Sequence, residues 1–335
     1  MSSSQPLILV TGGGGFIGGH LVRDLMASGD VRVRAVDEKP FEEWFYRHPG
    51  ADNRRLDLRL REPCDEAAAG AVAVYDFAAA MGGMGFIESN KAVCMLNVLI
   101  GSHMLLAARD AGVQRFFFSS SACVYNADKQ RSTSVEPLRE SDAYPALPED
   151  GYGWEKLFIE RMCRHFWEDF GLETRVARYH NVYGPWGTYD GGREKSPAAI
   201  CRKVALAKLN GASEIEIWGD GEQTRSYMFI DDCLYGTKKI MASEVREPLN
   251  LGSSRLVSIN QLVAMVEDIA GIKLKRRYDL SAPQGVRGRN SDNTRIKQLL
   301  TWEPAITLEE GLEKTYRWIY DQLTGAAPKV LAAVL

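Results

Sequence analysis

The sequence predicts an α/β protein in which a doubly wound parallel sheet carries a smaller mixed α/β lobe. Short apolar runs alternate with amphipathic segments in the first half of the 335 residues, which is typical of strand–helix–strand units. Crossovers between parallel strands are right-handed, so helices are expected on both faces of the sheet. The predicted strands of this half are residues 7–11, 31–36, 56–58, 73–77 and 116–119, with helices up to about residue 28 and over residues 87–111.

The second half of the chain is less regular. A strong helix over residues 151–170 and a strand over 174–178 precede a glycine-containing loop around 184–195. We expect a first domain over residues 1–180, with segments near 225–255 returning to its sheet, a second lobe over 181–325 and a flexible tail over 326–335. Further helices are predicted at residues 197–209, 258–270, 293–300 and 308–323.

Composition and charge argue against several classes of protein. Charged residues make up 25%, hydrophobic residues 45%, and the net charge is −3, so the chain lacks the electrostatic footprint of a nucleic-acid-binding protein. No apolar run is expected to approach the roughly 20 residues that span a membrane, and the short polar start predicts no signal peptide. The six cysteines have neither paired nor zinc-binding spacing, which predicts a reduced cytoplasmic protein without a metal site.

A glycine fingerprint follows the first strand and opens the next helix. Gly12, Gly15 and Gly18 permit a tight turn, close approach of the backbone to a pyrophosphate, and helix–strand packing. Asp37 ends the second strand, where a carboxylate holds ribose hydroxyls and repels a 2′-phosphate. The pattern predicts a Rossmann-type domain that binds NAD rather than NADP. The predicted cofactor-binding residues of this part are Gly12, Gly15, Phe16, Ile17, Gly18, Asp37 and, near the adenine, Asp57.

A tyrosine–lysine pair indicates the chemistry. Tyr152 and Lys156 are one turn apart and face the same side of one predicted helix. A lysine ammonium and a cationic nicotinamide both favour phenolate over phenol, so a group with an ordinary pKa near 10 becomes a base close to neutral pH. Such a base takes a proton from a sugar hydroxyl while the carbon gives up hydride. We therefore expect Tyr152 and Lys156 to be catalytic and to contact the cofactor.

With these residues in place, the chain resembles the extended short-chain dehydrogenase/reductase superfamily over nearly its whole length. The shared features are the glycine fingerprint, the strand end at residues 77–79, the Ser121-to-Tyr125 segment, the Tyr152–Lys156 pair and residues 178–185. Within the superfamily the chain is most similar to the GDP-mannose 3,5-epimerases, in residues 81–87, 120–123, 191–195, 218–226 and 285–292. The resemblance adds Ala78 and Ala79 to the cofactor site and Ser121 to the catalytic group.

The resemblance implies a catalytic cycle on a GDP-hexose, with GDP-mannose inverted at C3 and C5. Tyr152, aided by Lys156 and Ser121, takes the C4 hydroxyl proton as NAD takes the C4 hydride. The resulting 4-ketone acidifies C3 and C5, where Cys123 and Lys195 exchange protons on opposite faces before the ketone is reduced again. The implied substrate contacts are Gly82, Met84, Ser121, Cys123, Asn181, Glu194, Lys195, Lys203, Gln223, Arg225, Arg287 and Arg289.

Physical chemistry supports the roles of Cys123 and Lys195. Cys123 lies two residues after Ser121, and in an extended strand these side chains share a face, so a catalytic Ser121 places the thiol in the same pocket. Ordinary pKa values near 8.5 for cysteine and 10.4 for lysine are lowered by a positive neighbour or, for the amine, by desolvation. The plainer alternatives are a packed core thiol and a solvated loop lysine.

Three arginines are candidates for holding the nucleotide diphosphate, because the guanidinium fork binds phosphate in a bidentate way. They are Arg225, Arg287 and Arg289. Two of the three could equally form structural salt bridges, and the sequence does not distinguish which.

Other functions stay open at this point. A related enzyme could invert a single centre, or accept a GDP-heptose or another nucleotide sugar. A net dehydrogenase or a 4,6-dehydratase would instead accumulate NADH or a 4-keto-6-deoxy product; dehydratases usually carry an acidic pair directly after the active-site serine, where Ala122 and Cys123 stand here. A non-catalytic NAD-binding protein would be expected to lose Tyr152 or Lys156, and both are present.

A homodimer is implied by the resemblance. In the superfamily, the two long helices that correspond to residues 87–111 and 151–170 pack against their mates. Both helices carry more apolar residues than one sheet face needs, including Met104, Leu105, Phe158, Met162 and Phe166.

Overall fold

A computed structural model describes residues 5–326 and has a parallel seven-stranded sheet at its centre. Both the sheet and the smaller lobe are built from short strands. In chain order the strands are β1 (Leu7–Thr11), β2 (Arg32–Asp37), β3 (Asp52–Arg55), β4 (Ala73–Asp76), β5 (Arg115–Ser121), β6 (Glu173–Tyr179), β7 (Val182–Tyr183), β8 (Glu214–Trp218), β9 (Thr224–Ser226), β10 (Met228–Phe229), β11 (Leu249–Leu251), β12 (Leu256–Ser258), β13 (Lys275–Asp279) and β14 (Gly288–Arg289).

The order of the large sheet is β11-β6-β5-β4-β1-β2-β3, with every neighbouring pair parallel. From β1 the chain first adds strands on one side, β2 and β3, and then on the other side, beginning with β4. The switch point therefore lies between β1 and β4, where Thr11 pairs with Asp76. Ligands of such sheets bind outside the carboxyl ends of the strands at this switch point. Thr11, Asp37, Asp76 and Ser121 all end strands at that edge. The predicted α/β fold with a parallel doubly wound sheet is confirmed.

Helices cover both faces of the sheet. The α-helices are α1 (Phe16–Ser28), α2 (Arg61–Ala68), α3 (Met84–Ser89), α4 (Lys91–Met95), α5 (Asn97–Asp110), α6 (Tyr152–Phe170), α7 (Ser196–Asn210), α8 (Ile230–Ala242), α9 (Ile259–Ala270), α10 (Thr294–Leu300) and α11 (Leu308–Thr324). Buried residues of α2, α5 and α6 share one apolar core with the sheet, and those of α1 and α8 share another. The two cores hold the sheet between layers of helices, which fixes its carboxyl edge.

The smaller lobe is mixed. It contains a parallel pair, β8 with β13, and a three-stranded sheet in which β9 lies between antiparallel β12 and parallel β14. Helices α7, α9 and α11 pack together behind these strands. Strand β11 leaves this part of the chain and pairs with β6 of the large sheet. The predicted tail lies outside the described residues from residue 327 onward.

The third strand is displaced from its predicted position. The apolar pattern at residues 56–58 predicts a strand there, but β3 is Asp52–Arg55 and residues 56–58 lie beyond it. As the last strand of the sheet, β3 is open on one side and none of its residues is buried. A strand of charged and amide side chains therefore forms without an apolar signal.

The predicted helix over residues 87–111 is divided into α3, α4 and α5. Asn90 breaks it with non-helical φ and ψ of −131° and 41°. The Asn97 side chain bonds both the N–H and the C=O of Ala80, at 2.7 and 3.0 Å. The bends therefore bring the start of α5 against the strand end after β4.

One segment corrects the expectation that no run is apolar enough to span a membrane. Residues Lys91–Asp110 are long and apolar enough by length and composition alone. In the fold, α5 lies between α2 and α6, with Met104 and Leu105 fully buried in the shared core. Its apolar composition is thus accounted for in part by packing within the chain.

Candidate active site

The glycine turn between β1 and α1 is sterically closed to larger residues at two positions. Gly12 has a φ of +64°, and a Cβ there would lie 3.0 Å from the backbone of Phe77. A Cβ on Gly18 would lie 2.2 Å from the carbonyl oxygen of Gly12. The turn therefore brings β1, α1 and the end of β4 closer together than any side chain permits.

The first turn of α1 fits a dinucleotide pyrophosphate. Gly15 stands at the N-cap, and no side chain caps the helix there. Phe16 and Ile17, the first helical residues, line a cleft of about 770 Å³ at the carboxyl edge of the sheet. Uncapped N–H groups at a helix N-terminus bind anions, so these residues fit the phosphates of NAD.

Asp37 closes the far side of the same turn. It is 8% exposed, and its carboxylate accepts hydrogen bonds from the N–H of Gly14 at 3.2 Å and of Lys39 at 3.1 Å. The Lys39 ammonium in turn bonds the Gly14 carbonyl at 3.1 Å. These bonds hold the carboxylate at the cleft wall, where ribose hydroxyls of a dinucleotide fit.

The remaining predicted cofactor residues also line the cleft. Asp57 carries an ion pair with Arg59 at 2.8 Å, and this hydrogen bond lowers the pKa of Asp57. Ala78 donates its N–H to the Thr11 hydroxyl at 3.1 Å, and Ala79 follows it. The predicted site residues that line the cleft are Gly12, Gly15, Phe16, Ile17, Gly18, Asp37, Asp57, Ala78, Ala79, Ser121, Tyr152, Lys156 and Lys195.

Tyr152 begins α6, and its phenol lies beside Ser121 at the end of β5. Burial, followed by the negative charges of Glu155 and nearby thiols, raises the pKa of Tyr152 well above its usual value, and a hydrogen bond with Ser121 opposes this. The Lys156 ammonium lies 5.5 Å from the centre of the Tyr152 ring. The charges of the protein itself therefore do not produce the low phenol pKa that the sequence analysis expects.

Two buried carboxyl groups near Lys156, those of Glu155 and Asp76, are not predicted from the sequence. Glu155 Oε1 lies 3.8 Å from the Lys156 ammonium, and burial raises the pKa of Glu155 to about 7. Burial also raises the pKa of Asp76 to about 6, although Thr11 donates to it at 2.6 Å. Glu155 is 1% exposed. From the sequence alone, a glutamate next to a lysine is expected to be solvated, and only the tertiary fold buries it.

Cys123 lies in a tight 3₁₀ turn, Ala122–Val124, rather than in a strand. Its N–H donates to the Ser121 hydroxyl at 3.2 Å, so the turn itself holds the two residues together. The expectation of a shared strand face is wrong in its geometry, although the thiol still packs against Tyr152. Burial, then the charge of Glu149, raises the pKa of Cys123 to about 11 against the opposing charge of Arg289.

Lys195 precedes α7 and lines the cleft with Ser121 and Tyr152. Burial lowers its pKa, and the charge of Cys123 opposes this fall. The segment before Lys195 is fixed to the loop after β4, because the N–H of Gly83 donates to the Arg193 carbonyl at 3.0 Å. The structure thus places an amine with a lowered pKa in the cleft wall, and a thiol with a raised pKa close to it and packed against Tyr152.

The three arginines have different environments. Arg287 forms a two-bond ion pair with Asp220, each bond 3.0 Å, and Arg289 forms a buried pair with Glu149 at 2.5 Å. Arg225 has no carboxylate partner among residues 5–326, and it donates to the carbonyls of residues 224 and 284 at 2.8 and 3.1 Å. Burial lowers its pKa to about 10. Two of the three arginines therefore form structural salt bridges.

Of the other predicted substrate residues, three lie in two contacting loops. Gly82 packs against Phe86: a Cβ added to Gly82 would lie 2.8 Å from the Cβ of Phe86. The Met84 side chain packs against Gly285 of the smaller lobe, where an added Cβ would lie 3.0 Å from it. Glu194 accepts from the N–H of Gly192 at 2.7 Å. Of these contacts, the one between Met84 and Gly285 joins the segment after β4 to the smaller lobe.

Three further predicted substrate residues are engaged in contacts within the protein. Asn181 donates its amide to the carbonyl of residue 226 at 3.0 Å, and Gln223 donates to the carbonyl of Trp218 at 2.8 Å. Gln223 Oε1 is buried and accepts no protein hydrogen bond in the described part of the chain. Lys203 donates to the carbonyl of residue 216 at 3.0 Å. The Gln223 oxygen is thus left for a ligand or water.

A parallel sheet with a glycine turn at its switch point, and a Tyr–Lys pair across the cleft, defines a dinucleotide-dependent enzyme of the short-chain dehydrogenase/reductase type. The chain belongs to the NAD dependent epimerase/dehydratase family, whose model matches residues 8–252. This membership confirms the predicted NAD cofactor and the predicted class of enzyme.

Comparison with individual relatives and solved structures shows which members of the family the chain resembles. The chain is 46% identical to GDP-mannose 3,5-epimerase 1 of Oryza sativa subsp. japonica over 96% of this chain and 83% of the rice protein. It is 46% identical to the GDP-mannose 3,5-epimerase of Arabidopsis thaliana over 94% and 82% of the two chains. The crystal structure of Thermotoga maritima UDP-glucose 4-epimerase with UDP-glucose superposes with a TM-score of 0.84, at 28% identity over 95% and 99%. The predicted resemblance to GDP-mannose 3,5-epimerases is confirmed.

Proposed function

We propose that this chain epimerises GDP-mannose at C3 and C5 through a transient 4-keto sugar. The observation that carries the proposal is that Lys195 lines the cleft together with Tyr152, and that Cys123 packs against Tyr152. A pure oxidation needs Tyr152 alone as a base, whereas inversion at carbon needs two further groups that exchange protons on opposite faces. The similarity to the plant GDP-mannose 3,5-epimerases over nearly the whole chain supports the same substrate.

The proposed cofactor contacts follow the lining of the cleft. The first-turn amides of α1 hold the pyrophosphate, Asp37 holds the ribose hydroxyls, and Asp57 lies on the adenine side. When bound, NAD supplies reversible acceptance of a hydride from the sugar. Ala78 and Ala79, which have no long side chains, leave room along the end of β4.

Tyr152, Ser121 and Lys156 are proposed to manage the proton of the C4 hydroxyl. The phenol holds this proton and returns it, while the Ser121 hydroxyl orients the phenol through their hydrogen bond. Lys156 supplies a positive charge 5.5 Å from the ring centre. Because burial opposes phenolate, we infer that positive charge around the phenol is needed for its role as a base.

Cys123 and Lys195 are proposed to exchange the protons at C3 and C5. A ketone at C4 acidifies both neighbouring carbons, so one group removes a proton and the other returns one from the opposite face. The lowered pKa of Lys195 suits a neutral amine that acts as a base, and the raised pKa of Cys123 suits a thiol that acts as an acid. Inversion results when the two groups act in turn on one carbon.

Arg225 is the proposed arginine for the diphosphate. It is nine-tenths buried, it pairs with no carboxylate in the described residues, and a pKa of about 10 keeps it protonated at neutral pH. The charges of Arg287 and Arg289 are already balanced by Asp220 and Glu149. The guanidinium of Arg225, whose charge no carboxylate in the described residues balances, is therefore the better phosphate donor.

The function is tested by incubation of the protein with GDP-mannose in heavy water. We expect proton NMR to show deuterium at both C3 and C5 and inverted products, with no net formation of NADH. Deuterium at one carbon alone would identify an enzyme that inverts a single centre. Accumulated NADH or a 4-keto-6-deoxy sugar without deuterium exchange at C3 would replace the proposal by a dehydrogenase or a dehydratase.

We also propose a homodimer built on an apolar face of α4, α5 and α6. Met104, Leu105 and Phe166 are buried within the chain, so they are not available for a dimer interface as the sequence predicts. Large apolar side chains nevertheless remain exposed by 38–51% on these helices. They are Met95, Leu99, Trp154 and Phe158, which lie outside the cleft, and Val93 and Leu96, which also line it. A second copy of the chain covers such a face in a symmetric way.

Charge placed on this face is expected to separate the two copies. Phe158 is 51% exposed and does not enter the cleft, so Phe158→Glu should give the mass of a monomer by light scattering at micromolar concentration, where the wild-type protein gives a dimer. Leu280→Glu is the matched control, because Leu280 is 69% exposed on the other lobe. A monomeric wild-type protein, or equal dissociation by both substitutions, would contradict this interface.

A reduced cytoplasmic setting is proposed for the enzyme. All six cysteines are free and buried, including Cys123. A reducing compartment preserves a thiol that the mechanism needs, since oxidation removes its proton-transfer role.

A further inference from the structure

The Glu149 carboxylate lies beside the Cys123 thiol, in a position that the sequence analysis does not single out. The N–H of Glu149 donates to the carbonyl of Cys123 at 2.9 Å, which fixes the two backbones together. Arg289 joins the side chains, donating to Glu149 Oε1 at 2.5 Å and approaching Cys123 Sγ at 3.5 Å. The Glu149 and Arg289 side chains are only 9% and 5% exposed.

Arg289 is itself fixed from a third direction. Its Nε donates to Gln130 Oε1 at 2.6 Å, and Gln130 donates to the carbonyl of Tyr125 at 3.2 Å. The guanidinium therefore has little freedom to rotate away from Glu149. The Cys123–Glu149–Arg289 group, named here the thiol cluster, is a fixed arrangement of one thiol and two opposite charges.

One oxygen of the cluster is left for the thiol. Glu149 Oε1 accepts from Arg289, whereas Glu149 Oε2 is buried and accepts no hydrogen bond from residues 5–326. Burial opposes a lowered pKa of Glu149, but the charge of Arg289 and, after it, interaction with the Cys123 thiol lower that pKa. A buried carboxylate without a full set of donors is costly, so a protonated thiol beside Glu149 is favoured over a second negative charge.

We propose that Glu149 is a positioning residue that keeps the proton of the catalytic pair on Cys123, so that the resting enzyme carries a thiol and a neutral Lys195 amine. The inference rests on the proposed epimerase function. Two resting states have the same number of protons: thiol with amine, or thiolate with ammonium. The negative charge of Glu149 favours the first, because it disfavours a second negative charge beside it.

The groups that face the thiol have opposing effects. Burial and Glu149 raise the pKa of Cys123 to about 11, while the charge of Arg289 lowers it. Arg289 also lowers the pKa of Lys195, and burial lowers it further. Arg225 lies near enough to respond to the charges of both Glu149 and Cys123. The two arginines alone would favour a thiolate, and Glu149 with burial reverses that preference.

The proton count closes over one inversion. Lys195 takes a proton from the sugar carbon and becomes an ammonium, and Cys123 gives its proton to the opposite face and becomes a thiolate. Transfer of one proton from the ammonium back to the thiolate restores the resting state. Glu149 drives this return, since it raises the proton affinity of the thiolate.

The test is a titration of the Cys123 thiolate in the wild-type protein and in Glu149→Gln. The ultraviolet absorbance of the thiolate is followed between about pH 7 and pH 10, and the same curve of the matching Cys123→Ser protein is subtracted. We expect Glu149→Gln to contain at least about tenfold more thiolate near pH 9, because one pKa unit changes the thiolate fraction tenfold. The pH profile of deuterium exchange at C3 and C5 should move to lower pH in parallel.

Glu136→Gln is the matched control, since it removes one carboxylate that is exposed and does not line the cleft. Equal thiolate fractions in wild type and Glu149→Gln would overturn the proposal. If Glu149→Gln does not fold, the wild-type titration still decides, because a Cys123 thiolate that forms at the ordinary cysteine pKa contradicts a proton held by Glu149. The absorbance does not depend on GDP-mannose, so failure of the epimerase proposal is seen separately, in the heavy-water experiment.

Discussion

Cys123→Ser should nearly abolish proton exchange at C3 and C5 while leaving oxidation at C4 intact. Serine keeps the size of the side chain and the 3₁₀ turn, but its hydroxyl has a far higher pKa than a thiol. We expect deuterium incorporation to fall by about 10²–10⁴-fold, the effect of a positioned acid or base. Deuterium in the sugar is measured by NMR beside NADH absorbance in the same sample.

The selectivity of the loss is the decisive result. Lys195→Ala should also retain oxidation and lose inversion, although its change in size makes it less clean. Cys201→Ser is the control, because Cys201 is a buried core residue of α7 outside the cluster that packs Cys123 against Tyr152. Wild-type deuterium incorporation in Cys123→Ser at both carbons would leave the thiol as a core residue and remove the chemical basis for a 3,5-epimerase.

Tyr152→Phe should abolish the whole reaction, including the exchange at C3 and C5. No 4-ketone forms without removal of the C4 hydroxyl proton, so the neighbouring carbons are not acidified. The loss from a missing general base is about 10²–10⁴-fold. The ring remains, and with it the packing against Cys123, so the thermal unfolding midpoint should change little. Single-turnover absorbance of NADH measures the first step.

Tyr235→Phe is the control, because it removes a phenol hydroxyl from a tyrosine outside the cleft. Tyr235 lies on α8, is 49% exposed and does not line the cleft, so its variant should keep full activity. Wild-type turnover in Tyr152→Phe would exclude Tyr152 from the mechanism. Deuterium exchange that survives without NADH formation would show that proton exchange does not depend on C4 oxidation.

Local patterns account for the parts of the site that the sequence predicts. The glycine turn needs residues without side chains at Gly12 and Gly18, and Tyr152 and Lys156 are set by the period of one helix. These features depend on neighbours a few residues away. The strand–helix alternation of the large sheet is predicted for the same reason, since its central strands are buried and continuously apolar.

Contacts between distant segments account for what the sequence does not predict. The division of the arginines depends on Asp220 and Glu149, and Glu149 reaches Arg289 across 140 residues. The break at Asn90 and the edge strand β3 carry no apolar signal. The thiol pKa is a further case, because burial and the Glu149 carboxylate overcome the opposing charge of Arg289.

The short turn after β5 also has an evolutionary consequence. Ser121 ends the strand beside Tyr152, and Cys123 occupies the following turn, held by the Ser121 hydroxyl. Ser121, which is proposed to assist oxidation at C4, and Cys123, which is proposed to exchange protons, are therefore separate positions on one short stretch of backbone. An ancestor that only oxidised and reduced C4 could gain chemistry at the adjoining carbons by substitution at residue 123, without rebuilding its older centre. New stereochemistry in such enzymes then depends on single side chains rather than on new folds.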